Sequence, residues 1–159
     1  MSTTPSRAPL VVVTGTGTEI GKTHLAVALL RAWARVLEES GLAEPKVVGI
    51  KPVESGVTPG QPTDVATLEQ ASTFHVKRTP AAYMLARAVS PHLAAAGEGK
   101  TITLTEILRP IEAARASADA VLVELEGKLA DPGEAMPTVE LAVSLRRALA
   151  GIRGAGPFR

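Results

Sequence analysis

The run Pro9-Leu-Val-Val-Val-Thr14 is almost wholly apolar and is broken at once by Gly15-Thr-Gly-Thr-Glu-Ile-Gly-Lys-Thr23. A central parallel strand buried on both faces reads this way, because neither set of alternating side chains meets water. Beyond the glycines, Leu25, Leu29, Trp33, Val36 and Leu37 recur at helical spacing over residues 22–39, as the buried stripe of a helix, and Gly41 supplies a left-handed stop. Residues 46–51, Lys-Val-Val-Gly-Ile-Lys, then read as a second strand, reached by a crossover long enough for a parallel return. Strand, glycine loop, helix and strand in that order confine the chain to a parallel α/β architecture.

The loop has the context a Walker A phosphate-binding motif needs, a buried strand before it and a helix opening from it. Backbone N–H groups of a glycine-permitted loop and the positive end of the helix dipole surround phosphate oxygens, Lys22 adds a mobile cation, and the Thr23 hydroxyl is a magnesium ligand. The nucleotide contacts expected here are Thr18, Glu19, Ile20, Gly21, Lys22, Thr23 and His24. The spacing is a variant: the position five before Gly21 is Thr16, and the first glycine, Gly15, lies one residue further back. A tight turn with a chance Gly-Lys-Thr is the alternative, and the flanking strand and helix argue against it.

The 159 residues suit one domain, 45% hydrophobic and 21% charged. Aromatic residues are only 3%, so the core must be aliphatic. A formal charge of +1 offers no field for nucleic acid, and with no Cys there are no disulfides or thiolate metal sites. Residues 1–8 read as a disordered N-terminus without an apolar signal core, and no apolar run is long enough to span a membrane, so the cytoplasm is the expected location.

Further along, 52–63 reads as a loop and 64–71 as a short helix capped by Thr63. The pattern is weak over 72–99: a loop through Thr79-Pro80, a turn at Ser90-Pro91 and a short helix over 92–96. Thr103-Leu-Thr-Glu106 is a capping box, and Leu104, Ile107, Leu108 and Ile111 stripe a helix to about residue 117, which Asp119 closes. A third strand covers 120–125, a last helix 138–150, and 151–159 is an irregular basic tail. The fold expected is a P-loop NTPase-like, doubly wound parallel sheet over 9–150, with helices on both faces. Three strands fall short of the roughly five or six usual in a sheet, so the domain reads as incomplete, its C-terminal strands missing.

Lys51 stands at the C-terminal end of a parallel strand, where open α/β sheets place ligands. Glu124 ends an apolar strand and needs a partner, for which a cation is the simplest. Asp64, on the residues alone, is equally well a first-turn helix charge. His24 and His75 carry no partner pattern, and Ser90-Pro91-His92 starts a helix without a catalytic role for His92.

Four stretches in one order carry a family resemblance: the loop Val13 to Thr23, Gly49-Ile-Lys-Pro-Val-Glu-Ser-Gly56 followed by Thr63-Asp-Val-Ala66, Ser90-Pro-His-Leu-Ala94, and Asp119-Ala-Val-Leu-Val-Glu124. Over at least residues 10–145 the chain resembles dethiobiotin synthases. The resemblance implies ATP-dependent carboxylation of 7,8-diaminononanoate by CO2 and ring closure through a phosphorylated carbamate, in a homodimer. It implies Lys51 and Lys22 as catalytic lysines, Ser55 as a substrate hydrogen-bonding group, and Thr23, Asp64 and Glu124 as ligands of Mg2+ beside ATP.

The chain departs from that family where Glu-Gly-Ala-Gly-Gly is replaced by Glu124-Leu-Glu-Gly-Lys-Leu129. Leu125 and Glu126 are expected to crowd or repel phosphate, with Lys128 compensating. The expectation is a C-terminally truncated or frameshifted member. Two other readings stay open, a non-catalytic nucleotide-binding remnant and a P-loop switch ATPase; Lys-Pro-Val-Glu-Ser-Gly argues against the switch.

Overall fold

A computed structural model describes residues 8–15, 17, 19–76 and 81–126. The elements run β1 (Leu10–Val13), α1 (Lys22–Glu39), β2 (Val47–Ile50), β3 (Val53–Ser55), α2 (Asp64–Ala71), β4 (Tyr83–Leu85), α3 (Pro91–Gly97), α4 (Leu104–Arg115) and β5 (Ala120–Glu124). The expected helix over 138–150, the tail and Lys128 lie outside the described residues, as do residues 1–7, Thr18 and Thr79-Pro80. Ala8 is already buried, one residue before the expected start of the domain.

Strands β1, β5 and β2 form a parallel sheet in that order, with Leu10 opposite Val121 and Val47 opposite Ala120. All five residues of β5 are buried. Its alternation divides the core: Ala120 and Leu122 pack with Leu30, Ala26 and Leu68, and Val121 and Val123 pack with Ile107, Ile111 and Ala114. Helices therefore cover both faces, as a parallel sheet requires. Within the described residues β5 lies between β1 and β2, and Val11 of β1 is 40% exposed.

The buried stripe of α1 also differs from expectation. Leu25 and Val36 are more than half exposed, whereas Ala26, Leu30 and Ala34 are buried, with Val27, Trp33 and Leu37 partly so. The reason is close approach: a Cβ on Gly49 of β2 would stand 2.6 Å from Leu30 Cδ1, so Leu30 seats in a notch that the glycine leaves. Small residues a turn to either side let the helix reach it. The C-terminus of α1 follows the glycine signal, with Gly41 at φ 98 and hydrogen bonds from Gly41 N to Glu38 O and from Leu42 N to Leu37 O.

Two three-residue strands, β3 and β4, pair in parallel as a second small sheet, with Val53 opposite Tyr83. The first falls where the sequence reads as loop and the second where its pattern is weak, because three residues hold too little alternation to register. Val53 and Leu85 anchor this sheet in the core. The α4 capping box is half made: Thr103 Oγ1 accepts from Glu106 N at 3.3 Å, but the Glu106 carboxylate turns to Arg109, and Thr103 N donates to Tyr83 Oη instead. Asp119 accepts from Lys46 N at 2.8 Å, tying the starts of β5 and β2 together.

Candidate active site

The parallel sheet ends its strands on one side, and the residues that follow β1, β2 and β5 meet there. After β1 the loop enters α1 through Glu19 at φ 59 and Gly21 at φ 84. A positive φ is open to glycine but strained for glutamate, and such strain is often kept at ligand sites. Among the described residues no side chain caps the α1 N-terminus, and its first turn holds no acidic residue. Its orphan N–H donors are thus left for an anion. Lys22 Nζ donates to Gly17 O at 2.6 Å, closing the loop on itself.

Lys51 follows β2 and is 4% exposed. Its ammonium donates to Asp64 and to Glu124 Oε1 (3.0 Å), and Glu126 Oε1 is 3.8 Å away. Burial alone would pull this ammonium down, but the hydrogen bonds and attraction of Asp64 and Glu124 outweigh it and hold Lys51 above its ordinary value of 10.5. Glu124 is fully buried at the end of β5, and its Oε1 also accepts from Thr23 Oγ1 at 3.0 Å. One carboxylate oxygen therefore joins the phosphate loop to Lys51. Its Oε2 is buried with no hydrogen-bond partner among the described residues.

Asp64 is positioned by a residue that sequence reasoning passed over. Buried Glu54 accepts from Asp64 N at 2.8 Å and Val65 N at 2.9 Å, and Thr63 Oγ1 accepts from Ala66 N at 3.1 Å. Together they satisfy the first three N–H groups of α2, and β3 supplies the Glu54 backbone. Glu54→Ala strands two of these donors. It is expected to cost about 1–3 kcal/mol in urea unfolding and to weaken the Asp64–Lys51 contact.

These groups line a cleft of about 870 Å3, which holds Glu19, Gly21, Lys22, Thr23, His24, Lys51, Ser55, Asp64 and Glu124 of the expected residues. Ile20 does not line it; its side chain lies against Gly15, where an added Cβ would be 2.3 Å from Ile20 Cδ1. Ser90 and Pro91, opening α3, also border the cleft, whereas His75 faces a separate cavity of about 340 Å3. Leu125 is buried in the core on the α4 face and does not crowd the cleft. Glu126, expected to repel phosphate, turns to Ser55, accepting from its hydroxyl at 3.1 Å and its N–H at 3.3 Å.

Among the described residues no group of three or more His, Asp or Glu forms a metal cage. Mg2+ seldom uses one, being held by one or two carboxylates together with phosphate oxygens. Thr23, Asp64 and Glu124 are hard oxygen donors of that kind, and the unpartnered Glu124 Oε2 fits a cation.

A phosphate loop on a parallel sheet, with an acid from the central strand reaching its threonine, defines a phosphate-loop nucleotide-binding protein. A family model described as an AAA domain matches residues 10–146, and the chain belongs to that family. It is similar to proteins named ATP-dependent dethiobiotin synthetase. One from Ralstonia nicotianae is 40% identical over 139 residues, covering 84% of this chain and 58% of the relative. Those from Anaeromyxobacter sp. strain K (38%; 84% and 57% covered) and Aromatoleum aromaticum (41%; 82% and 58%) are comparable. The chain thus spans 58% or less of the length of these relatives. No helix among the described residues is long and apolar enough to cross a membrane.

Proposed function

We propose that this chain carries out the ATP-dependent carboxylation and ring closure of 7,8-diaminononanoate to dethiobiotin. The observation that carries the reading is the buried Lys51 held by Asp64 and Glu124, with Glu124 bonded in turn to Thr23 of the phosphate loop. A nucleotide switch has no need of a buried lysine beside its threonine in addition to that of the loop, whereas a reaction that gathers anionic charge does.

In this reaction an amine adds to CO2 as a carbamate, the carbamate oxygen takes the γ-phosphoryl group of ATP with loss of ADP, and the second amine attacks the carbonyl and expels phosphate. The loop amides and Lys22 hold the phosphates. Lys51 offsets the charge that grows as two anions are brought in line, which is where such catalysis gains most. Thr23, Asp64 and Glu124 would hold Mg2+, which when bound supplies further positive charge against the phosphate oxygens. A homodimer working in the cytoplasm belongs to the same proposal.

The test is incorporation of radiolabelled bicarbonate into acid-stable product by the purified chain with Mg-ATP and the diamine. Product and phosphate are expected to appear in equal amounts. Phosphate release that does not depend on the diamine, with no label retained, would sink the reading.

A further inference from the structure

In the cleft three carboxylates, Asp64, Glu124 and Glu126, approach the ammonium of Lys51, so among the described residues the acids of this cluster outnumber its cations. Lys22, whose Nζ donates to Gly17 O, makes no ion pair with these acids among the described residues. Glu124 is fully buried and Glu126 nearly so, and buried carboxylates of this kind are costly unless a cation joins them. Asp64 and Glu124 belong with Thr23 and the nucleotide. Glu126 does not: it stands on Ser55 of β3, its side chain only 12% exposed, with both oxygens fixed by the Ser55 N–H and hydroxyl.

Both Ser55 donors are therefore spent on Glu126, and what this wall of the cleft presents to a ligand is a rigid carboxylate. An ammonium, which only donates, is the complement of a group that only accepts. We propose that Glu126 is the specificity-determining residue for one amino group of the diamine substrate, and that Ser55 acts as its positioning residue and not as a substrate ligand. The inference rests on the function proposed above and assigns the substrate's charged end to a named side chain.

The experiment compares equilibrium binding, at one pH and without nucleotide, of 7,8-diaminononanoate and of the analogue with one amine replaced by hydroxyl. Wild type is expected to favour the diamine by about tenfold or more, the usual reward of a hydrogen bond to a charged partner. Glu126→Gln should bind both alike, and Glu126→Asp, which keeps the charge, should retain part of the preference. Thermal stabilisation by Mg-ATP is measured in each protein to confirm an intact fold. If Glu126→Gln does not fold, Ser55→Ala takes its place and is expected to weaken diamine binding without changing that of the alcohol. An undiminished preference in Glu126→Gln, or an unchanged diamine affinity in Ser55→Ala, overturns the role of Glu126 alone. Wild type that responds to Mg-ATP but binds no diamine overturns the proposed function and this inference with it.

Discussion

Lys51→Ala is expected to abolish diamine-dependent incorporation of bicarbonate and also to destabilise the protein by about 3–5 kcal/mol, the usual cost of removing one partner from a buried ion pair. Both losses come from one geometry. The ammonium is buried, and without it Asp64, Glu124 and Glu126 face one another with no cation between them. Activity and stability can be separated by adding Glu124→Gln to Lys51→Met, which removes charge of both signs. The double variant should recover much of the lost stability in urea unfolding and none of the activity. Recovery of activity would show that Lys51 serves only the fold.

The pH dependence has a defined sign. A lysine raised above 10.5 in the folded state contributes stability that is fully present below that value and is lost as pH rises through the folded one. The gap in melting temperature between wild type and Lys51→Ala should therefore be level through neutral pH and narrow only above 10.5. A gap that narrows on the acidic side of neutrality would mean that other groups set it.

Lys22→Ala is expected to remove the response to nucleotide while leaving the empty protein nearly as stable as before. Lys22 is half-buried and, among the described residues, bonded only to a loop carbonyl of its own motif, so little of the core depends on it. At Mg-ATP near 100 times its dissociation constant, wild type should gain about 2.7 kcal/mol of apparent stability. The variant should gain close to none. A full thermal shift in Lys22→Ala would place the phosphates elsewhere than on this loop.

Much of this structure was legible in the sequence because its signals are local. Residues 22–39 and 64–71 are helical as read, and the Thr63 cap and Gly41 stop perform as their chemistry dictates. Lys51, Thr23 and Glu124 meet because parallel strands end on one side of a sheet. What could not be read was relational. Nothing local announces that Leu30 and not Leu29 faces the sheet, since the answer lies in Gly49, nineteen positions away. Nor do β3 and β4 announce themselves, since each is a strand only by virtue of the other. Glu54 illustrates the same limit: its cap on α2 spans ten positions and leaves no periodic trace.

The Leu30–Gly49 notch sets a tolerance for the chemistry. Thr23 and Leu30 project from the same face of α1, about two turns apart, and Gly49 of β2 precedes Lys51 by two residues. The contact that fixes the height of the helix above the sheet thereby fixes how far the phosphate loop stands from the buried lysine. A methyl group at Gly49 would act as a wedge between them, and the site would lose alignment although none of its own residues had changed.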